Sequence, residues 1–361
     1  MTAPPGSSGP PLGVRVAPPV RARRPTVSPP INGPLIDSHG RVHTDLRISV
    51  TDRCNFRCVY CMPEEGVPFL PRAELLTFEE ITRVATIAHR LGVRSVRFTG
   101  GEPLVRRDLV DLVAMVAGVG FDDVALTTNG TGLARLAPRL ADAGLRRVNV
   151  SCDSLRPERF SRIRRRGDLA TVLAAMDAAE SAGLTPLKVN VVAIAGVNDD
   201  EVEDFGAFAR RTGREVRFIE FMPLDAPGSW QRDQVVAAAD ILARLHARWP
   251  LEAVVDPGDP APAERYRFQD GGGTIGVVAS VTRPFCGTCN RLRLTADGAV
   301  RNCLFANADA ERSVRDLLRG GADDAEVEAV LRRAVWDKLP GHAINDPGFL
   351  RPARSMSMIG G

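Results

Sequence analysis

Three cysteines within eight residues constrain this 361-residue chain more than any other feature. Cys54, Cys58 and Cys61 have C-x3-C-x2-C spacing and follow a strand-like run from Leu46 to Thr51, which places them in a single loop. A four-iron cluster takes one thiolate per iron, so three thiolates leave one iron open. A structural zinc ion usually has four protein ligands. The loop therefore predicts an iron–sulfur site with an open position, and the alternatives are a structural zinc site or three unrelated thiols.

The composition of the chain excludes several classes of protein. Hydrophobic residues make up 44% and charged residues 25%, as in ordinary globular domains. No run approaches the roughly 18 apolar residues of a membrane span, and the first residues lack the basic and apolar regions of a secretory signal. A formal net charge of +3 gives no strong field for nucleic acid. We therefore expect a cytoplasmic protein with neither a membrane nor a nucleic acid as partner.

Strand-like and helix-like segments alternate through the middle of the chain. Strand patterns begin at Leu46 and recur at 93–99, 123–128, 147–151, 186–194 and 215–221, with helical patterns between them. Such alternation predicts parallel strands joined by right-handed crossovers. We predict the α/β class, with an open, incomplete six-stranded parallel (β/α)6 TIM-like barrel.

Three regions follow from these patterns. Residues 1–40 are rich in Pro, Gly and Arg without apolar periodicity, so they are predicted to be a disordered leader. Residues 41–222 are predicted to form the partial barrel. Residues 223–361 lose the regular alternation and are predicted to form a C-terminal α+β extension that covers the barrel mouth.

Polar and sulfur-containing side chains are predicted to gather at one rim of this barrel. Active sites of such barrels lie at the carboxyl ends of the strands. The residues at these ends are Cys54–Cys61, Gly100–Glu102, Thr127–Asn129, Ser151, Asp153, Asn190, Glu220 and Met222. This rim is the predicted active site, whereas the arginine-rich run 162–166 is predicted to face solvent on the barrel surface.

A second set of three cysteines lies in the C-terminal region. Cys286 and Cys289 form a C-x2-C pair, and Cys303 follows after thirteen intervening residues. No fourth ligand lies nearby, and Cys152 is predicted to point outward because Ser151 and Asp153 would face the barrel interior. An open position is therefore predicted here too. The chain has only two lysines, at positions 188 and 338, so each is of interest among so many arginines.

These motifs together resemble those of a known family. The first triplet, with Tyr60 before its last cysteine and Gly100-Gly101-Glu102-Pro103 further on, resembles the radical S-adenosylmethionine (SAM) superfamily. The second triplet, the segment 291–293 and the terminal Gly-Gly are similar to the GTP 3′,8-cyclase family of molybdenum cofactor biosynthesis. The resemblance extends from about residue 45 to residue 361 and leaves only the leader uncovered.

The resemblance implies two [4Fe-4S] clusters and SAM as cofactors. Cys54, Cys58 and Cys61 would bind the first cluster, and Cys286, Cys289 and Cys303 the second. SAM would contact Tyr60, Gly101, Glu102, Ser151 and Met222. GTP would contact Arg47, Arg97, Thr127, Lys188, Arg291, Leu292, Arg293, Gly360 and Gly361. Ser95 departs from the family, some members of which carry a basic residue there.

The family also implies a reaction and its partners. A 5′-deoxyadenosyl radical made from SAM would abstract the 3′ hydrogen of GTP, and C3′ would then bond to C8 of the purine. The product would be (8S)-3′,8-cyclo-7,8-dihydroguanosine 5′-triphosphate. An external one-electron donor, a downstream cyclic pyranopterin monophosphate synthase and a second copy of the chain in a homodimer are the partners implied.

Two other functions are compatible with parts of the sequence. A radical SAM peptide-modifying enzyme can also carry an additional cluster in its C-terminal domain, although such domains usually contain more than three cysteines. A zinc- or iron–sulfur-bearing nucleic-acid-binding module would need a basic face with exposed aromatic residues. The near-neutral charge and only two tyrosines argue against the second alternative.

Overall fold

Strands and helices alternate through most of the chain. The computed structural model describes residues 25–225, 228–256, 261–307 and 310–360. The strands are β1 (Asp45–Ser49), β2 (Ser95–Thr99), β3 (Asp123–Thr128), β4 (Arg147–Ser151), β5 (Lys188–Ala193), β6 (Glu215–Glu220), β7 (Leu251–Val254), β8 (Glu264–Phe268), β9 (Thr274–Val278), β10 (Arg291–Leu294), β11 (Ala299–Arg301) and β12 (Arg312–Ser313). The helices are α1 (Phe78–Arg90), α2 (Leu109–Ala117), α3 (Leu133–Asp142), α4 (Pro157–Arg164), α5 (Leu169–Ser181), α6 (Val202–Thr212), α7 (Ala238–Arg248), α8 (Arg315–Arg319), α9 (Asp324–Trp336) and α10 (Met356–Ile359).

All twelve strands belong to one open sheet. Their order is β12-β11-β10-β1-β2-β3-β4-β5-β6-β9-β8-β7. The strands β1 to β6 pair in parallel in sequence order, and β10 and β9 extend them in parallel at the two sides. Antiparallel strands complete both ends. The α/β class and the open sheet are as predicted.

The strand number differs from the prediction of a six-stranded barrel with a separate extension. Strands from the C-terminal region join both sides of the β1–β6 unit, because β1 and β6 would otherwise present unpaired backbone groups at exposed edges. The C-terminal region therefore continues the sheet. Among the described residues, no helix has both the length and the apolar character needed to cross a membrane.

Local sequence patterns explain how α1 begins and which face of β1 it covers. α1 begins at a capping box in which Thr77 and Glu80 each accept a hydrogen bond from the backbone N–H of the other. Its buried residues, Ile81, Val84, Ala85, Ile87 and Ala88, lie at helical spacing. On β1, Leu46 and Ile48 are buried in the same core, so the alternate residues of the strand face the opposite side of the sheet. This alternation directs Asp45, Arg47 and Ser49 away from the helices.

The packed part of the chain begins before residue 41. Residues 1–24 of the predicted leader lie outside the described residues. Leu35 is fully buried and its N–H donates to the carbonyl of Leu91, while Asp37 accepts hydrogen bonds from His39 and Arg41. The prediction of a disordered segment as far as residue 40 is therefore wrong for residues 35–40, because one leucine and one aspartate suffice to fix this short loop.

Candidate active site

The two cysteine triplets face one cavity of about 290 Å³. All six thiols line it: Cys54, Cys58, Cys61, Cys286, Cys289 and Cys303. The other residues predicted for the site that line it are Arg47, Phe56, Tyr60, Gly100, Gly101, Glu102, Thr127, Thr128, Asn129, Ser151, Asp153, Asn190, Met222, Arg291 and Arg293. The structure thus brings together side chains that are up to about 250 positions apart in the chain. They come from most of the strands and from the C-terminal region.

The first triplet occupies one short loop. The N–H groups of Cys61 and Met62 both donate to the carbonyl of Cys58, which closes a turn, and the N–H of Phe56 donates to Cys54 Sγ at 3.3 Å. The loop is tied to the end of α4 by backbone bonds from Arg57 and Val59. Burial raises the pKa of Cys54 to about 12 and also raises the pKa values of Cys58 and Cys61.

A buried arginine lies behind this triplet. Arg164 donates from Nη1 to Cys58 Sγ at 3.1 Å and forms an ion pair with Asp153 at 2.7 Å. The Tyr60 hydroxyl donates to the same carboxylate at 2.7 Å. The guanidinium also lies about 6 Å from the ring centres of Phe56, Tyr60 and Phe160. Arg164 therefore supplies a positive charge to a group of thiols that lies near the carboxylates of Glu102 and Asp153.

The prediction that the run 162–166 faces solvent is wrong for Arg164, which is only 3% exposed. The sequence does contain a signal for this burial: Phe160, Ile163 and Arg164 lie at i, i+3 and i+4 on α4, which places them on one face of the helix. All three are buried, while Arg162 and Arg165 beside them are not. The basic run is thus divided between a buried and an exposed face.

Glu102 lies at the other side of the first triplet and is fixed by three donors. Its Oε1 accepts from Leu104 N at 3.0 Å and from Thr128 Oγ1 at 2.7 Å, and its Oε2 accepts from Asn129 N at 2.6 Å. Burial outweighs these bonds and raises the pKa of Glu102 to about 7. A fixed carboxylate in this position can accept a cationic group.

The Gly100–Gly101 pair allows the loops after β1 and β2 to touch. A Cβ on Gly100 would lie 2.5 Å from the Thr51 carbonyl oxygen, and one on Gly101 would lie 2.3 Å from the Arg53 carbonyl oxygen. The N–H groups of Gly101 and Glu102 donate to these same two carbonyls. Glycine is required here because no side chain fits between the two backbones.

The second triplet is assembled from two segments. Cys286 begins a short 3-10 turn that ends before Cys289, and Cys303 follows β11. Lys338 donates from Nζ to Cys289 Sγ at 3.3 Å. Burial alone would raise the pKa of Cys289, but the charges of Arg291 and Lys338 outweigh it and lower the pKa to about 6. One thiol of this set is therefore poised as a thiolate.

The donor sets fit iron–sulfur clusters. Each triplet presents three cysteine sulfurs to the cavity, and each has a cation within hydrogen-bonding distance of one sulfur. Among the described residues, no three His, Cys, Asp or Glu side chains converge on a point that could hold a single metal ion. Cluster ligands need no such convergence, since each thiolate binds a different iron.

A second cavity, of about 390 Å³, lies beside the first at the amino ends of the strands. It is strongly basic: its cations are Arg47, Arg94, Arg97, Arg147, Lys188, Arg217 and Arg265. Arg47 and Arg217 line both cavities. Arg47 is the register partner of Arg97 on β2 and of Arg293 on β10, so three guanidinium groups lie on adjacent strands.

Five of these seven cations, Arg47, Arg147, Lys188, Arg217 and Arg265, form ion pairs with Asp45, Asp123 or Glu215. Among the described residues, however, Arg97 Nε and Nη1 are buried without a hydrogen-bond partner. Burial and then the nearby charge of Arg47 lower the pKa of Arg97, and burial and then Arg217 lower the pKa of Lys188 to about 8. Buried charges without partners are costly. The second cavity therefore has the electrostatics of a site for a polyanion, and Arg147, Arg217 and Arg265 were not found from the sequence.

Not every predicted site residue reaches a cavity. Leu292 is fully buried in the core, because it alternates with the inward-facing Arg291 and Arg293. Glu220 accepts hydrogen bonds from the backbone N–H groups of Ala238 and Val281 and thereby joins the start of α7 to the segment after β9. Cys152, which was predicted to point outward and not to belong to the site, is fully buried, and its thiol donates to the Ser154 carbonyl.

The C-terminal tail lies against the first cavity, which Met356 and Ser357 line. The Gly360 carbonyl accepts from Arg293 Nη1 at 2.5 Å, and a Cβ on Gly360 would lie 2.3 Å from Thr99 Oγ1. Gly360 also has φ of +78°. Gly361 lies outside the described residues. The tail thus reaches the carboxyl ends of β1 and β2 only because residue 360 is glycine.

Comparisons with known proteins identify the class. The radical SAM superfamily model matches residues 48–209, and the model described as Molybdenum Cofactor Synthesis C matches residues 214–344. Among solved structures, SuiB of Streptococcus suis bound to S-adenosylmethionine has a TM-score of 0.54 at 15% identity, covering 79% of this chain and 67% of that one. The fold is that of a radical SAM protein.

Curated relatives identify the family within this class. A GTP 3′,8-cyclase of Mycobacterium sp. (strain KMS) is 51% identical over 340 residues, covering 94% of this chain and 97% of the relative. A GTP 3′,8-cyclase of Streptomyces coelicolor is 51% identical over 330 residues, covering 91% and 96%. The chain belongs to the GTP 3′,8-cyclase family.

Proposed function

We propose that this chain cyclises GTP between C3′ and C8 with the help of SAM, the first step of molybdenum cofactor biosynthesis. The observation that carries the proposal is that two three-thiol sets face one cavity, which continues into a basic cavity. A radical SAM peptide-modifying enzyme, the alternative within the same fold, would have no need of seven cations at the amino ends of the strands. The relatives at 51% identity are GTP 3′,8-cyclases.

SAM is assigned to the side of the cavity near the first triplet. Cys54, Cys58 and Cys61 would hold a four-iron cluster, which would supply the electron for cleavage of a carbon–sulfur bond of SAM. The fixed carboxylate of Glu102 accepts the methionyl ammonium as a charge-assisted hydrogen bond. Gly101, Tyr60, Ser151 and Met222 line the space beside it, where they exclude water from the adenosyl group.

GTP is assigned to the second triplet and the basic cavity. Cys286, Cys289 and Cys303 would hold the second cluster, and Arg291 and Arg293 line the cavity between them and the first triplet. The triphosphate extends towards Arg47, Arg97 and Lys188. Ser95 also lines this cavity, and the cations Arg94, Arg147, Arg217 and Arg265 offset the absence of the basic residue that some family members carry at that position.

The remaining elements complete the site. The carbonyl of Gly360 binds Arg293 and so holds a guanidinium beside the cavity, and Thr127 supplies a hydroxyl. The region 223–361 closes the mouth of the parallel sheet. An external one-electron donor, a downstream cyclic pyranopterin monophosphate synthase and a homodimer are part of the proposal.

Anaerobic reconstitution tests this function. The reconstituted chain should contain about eight irons, and with SAM and reductant it should form 5′-deoxyadenosine coupled to cyclisation of GTP. GTP deuterated at C3′ should transfer its deuterium to 5′-deoxyadenosine, whereas ATP, CTP and UTP should not be cyclised. An iron count near four would exclude the second cluster, and deuterium retention on GTP would exclude the hydrogen abstraction.

A variant pair tests the phosphate site. Lys188→Met should raise the KM for GTP by about 10- to 100-fold, because one charge-assisted bond is worth roughly 1.5–3 kcal/mol. Its kcat should change less, since the lysine lies far from the thiols. Arg166→Met, which removes one positive charge from an exposed position, is the matched control and should leave the KM unchanged.

A further inference from the structure

Lys338 is one of two lysines in the sequence, and the proposed function gives it no role. It follows the end of α9 and is only 3% exposed. Its Nζ donates to Cys289 Sγ at 3.3 Å, to the Cys289 carbonyl at 3.2 Å and to the Arg291 carbonyl at 3.0 Å. All three donors of the ammonium group are therefore directed at Cys289 and at the backbone two residues after it.

The position of this ammonium is built into the fold. The Lys338 N–H continues the last turn of α9 by donating to Val335. The two residues after it are held by Arg41, which donates to the carbonyls of Leu339 and Pro340 and also to that of Cys286 at 2.6 Å. The segment 338–340 is thus fastened to the Cys286–Cys289 turn from both sides. A flexible surface lysine would have none of these constraints.

Lys338 approaches the sulfur from outside the cavity. Within the described part of the chain, it is not among the residues that line either cavity, while Cys289 lines the first. The ammonium therefore does not contact a substrate in the cavity. It acts on whatever the Cys289 sulfur binds.

We propose that Lys338 is a positioning residue for the second cluster: it holds the Cys289 thiolate in place and raises the reduction potential of the cluster bound there. The inference rests on the proposed second cluster. One-electron reduction adds a negative charge to a cluster, so a fixed neighbouring cation stabilises the reduced form more than the oxidised form. Net charge and hydrogen bonds to the sulfurs are among the factors that set such potentials.

The test isolates the second cluster in the full-length chain. In a background with Cys54, Cys58 and Cys61 all changed to Ala, iron can assemble only on the second triplet. Three variants are added to this background. Lys338→Met removes the charge and the donors, Lys338→Arg keeps a cation, and Arg333→Met removes a partly exposed cation from α9 that pairs with Asp337 and not with a thiol.

The measurements are the iron content and the midpoint potential, from a redox titration followed by electron paramagnetic resonance. We expect a lower potential for Lys338→Met than for the background, and unchanged potentials for Lys338→Arg and Arg333→Met. An unchanged potential in an assembled Lys338→Met cluster would overturn the inference. If the Lys338→Met variant assembles no cluster, an iron content of about four in Lys338→Arg would support the role of the charge. If neither variant assembles a cluster, the inference is overturned.

The background alone separates this inference from the proposed function. If the triple cysteine variant with its native Lys338 assembles no four-iron cluster, the two-cluster proposal fails. If it does assemble one, only the behaviour of the Lys338 variants decides the inference.

Discussion

The two thiol triplets face the same cavity but are held by the chain in different ways. The first is a single eight-residue loop whose thiols are surrounded by Asp153 and Glu102, with Arg164 as the nearby cation. The second joins a 3-10 turn to a residue after β11, and Cys289 is flanked by Arg291 and Lys338. The acidic side suits a cationic ligand such as SAM, and the basic side suits an anionic nucleotide.

This difference teaches how one cavity can orient two ligands of opposite charge. The pKa of Cys54 is raised to about 12, whereas that of Cys289 is lowered to about 6. The thiols of the first loop must therefore lose protons against their environment when metal binds, while Cys289 does not.

The largest expected effect is from removing one thiol on each side. Cys58→Ala and Cys289→Ala should each lower the iron content from about eight to about four per chain, and each should abolish GTP cyclisation. Only Cys58→Ala should also abolish 5′-deoxyadenosine formation, because SAM is assigned to the first triplet. Cys152→Ala is the control, since that thiol is buried away from the cavity. Cyclisation by Cys289→Ala would show that the second side has another role.

Gly360→Ala should disturb Arg293, on the second side of the cavity, and leave all six thiols in place. The new Cβ would collide with Thr99 Oγ1, so the tail would shift and Arg293 would lose its carbonyl partner. Because a misplacement of about 1 Å can cost about 100-fold in rate, we expect kcat for cyclisation to fall by roughly that factor. The iron content should stay the same.

The control for this change is Gly118→Ala. Gly118 lies just after α2 with a helical backbone, and a Cβ there would come no closer than 3.4 Å to other atoms. Its kcat should equal that of the unchanged chain. Normal turnover by Gly360→Ala would show that the tail has no part in positioning Arg293.

The sequence predicted what local patterns encode, and it failed where contacts come from distant segments. The C-x3-C-x2-C loop and the positions of β1 to β6 are local, and both were predicted. The contact of Lys338 with Cys289 joins residues 49 positions apart, and no spacing rule indicates it. The pairing of β10 with β1 and of β9 with β6 likewise depends on which edges remain open after the parallel strands have formed. Arg164 is an intermediate case, because its helical spacing indicated burial while its basic neighbours indicated exposure.

Arg164→Met tests whether the cation behind the first triplet is needed for stability. The change leaves the Asp153 carboxylate, which is 1% exposed, without its cation. Breaking a buried pair in this way typically costs about 3–5 kcal/mol, which urea unfolding of the iron-free chain would measure. Lys338→Met should cost less, since its partners are two carbonyls and a thiol.

A double variant distinguishes charge from packing. Asp153→Asn in the Arg164→Met background removes the unpaired charge and should recover part of the lost stability. If Arg164→Met and Lys338→Met cost the same, or if the double variant recovers nothing, then the electrostatic difference between the two sides does not govern stability.

The smallest expected effect is a pH dependence of stability that comes from His43, which lies in the segment that holds the second triplet. His43 is fully buried beside Asp37, whose neighbour Arg41 holds the Cys286 carbonyl. Burial lowers the pKa of His43 to about 4 from an ordinary value near 6.5. Between those values the unfolded chain binds a proton that the folded chain does not, so stability falls as the pH decreases through this range.

The loss of stability is at most about 3 kcal/mol, because a tenfold difference in proton affinity between the folded and unfolded chain corresponds to about 1.4 kcal/mol. It should appear in urea unfolding of the iron-free chain between about pH 7 and pH 4.5. Neutral His43 donates from Nε2 to Asp37, and its Nδ1 has no partner within the part of the chain that the structure describes, so His43→Gln keeps a donor without a titrating group. The variant should show a flatter pH dependence than the unchanged chain over this range. If the free energy of unfolding of both chains changed equally with pH, the acid sensitivity would come from groups other than His43.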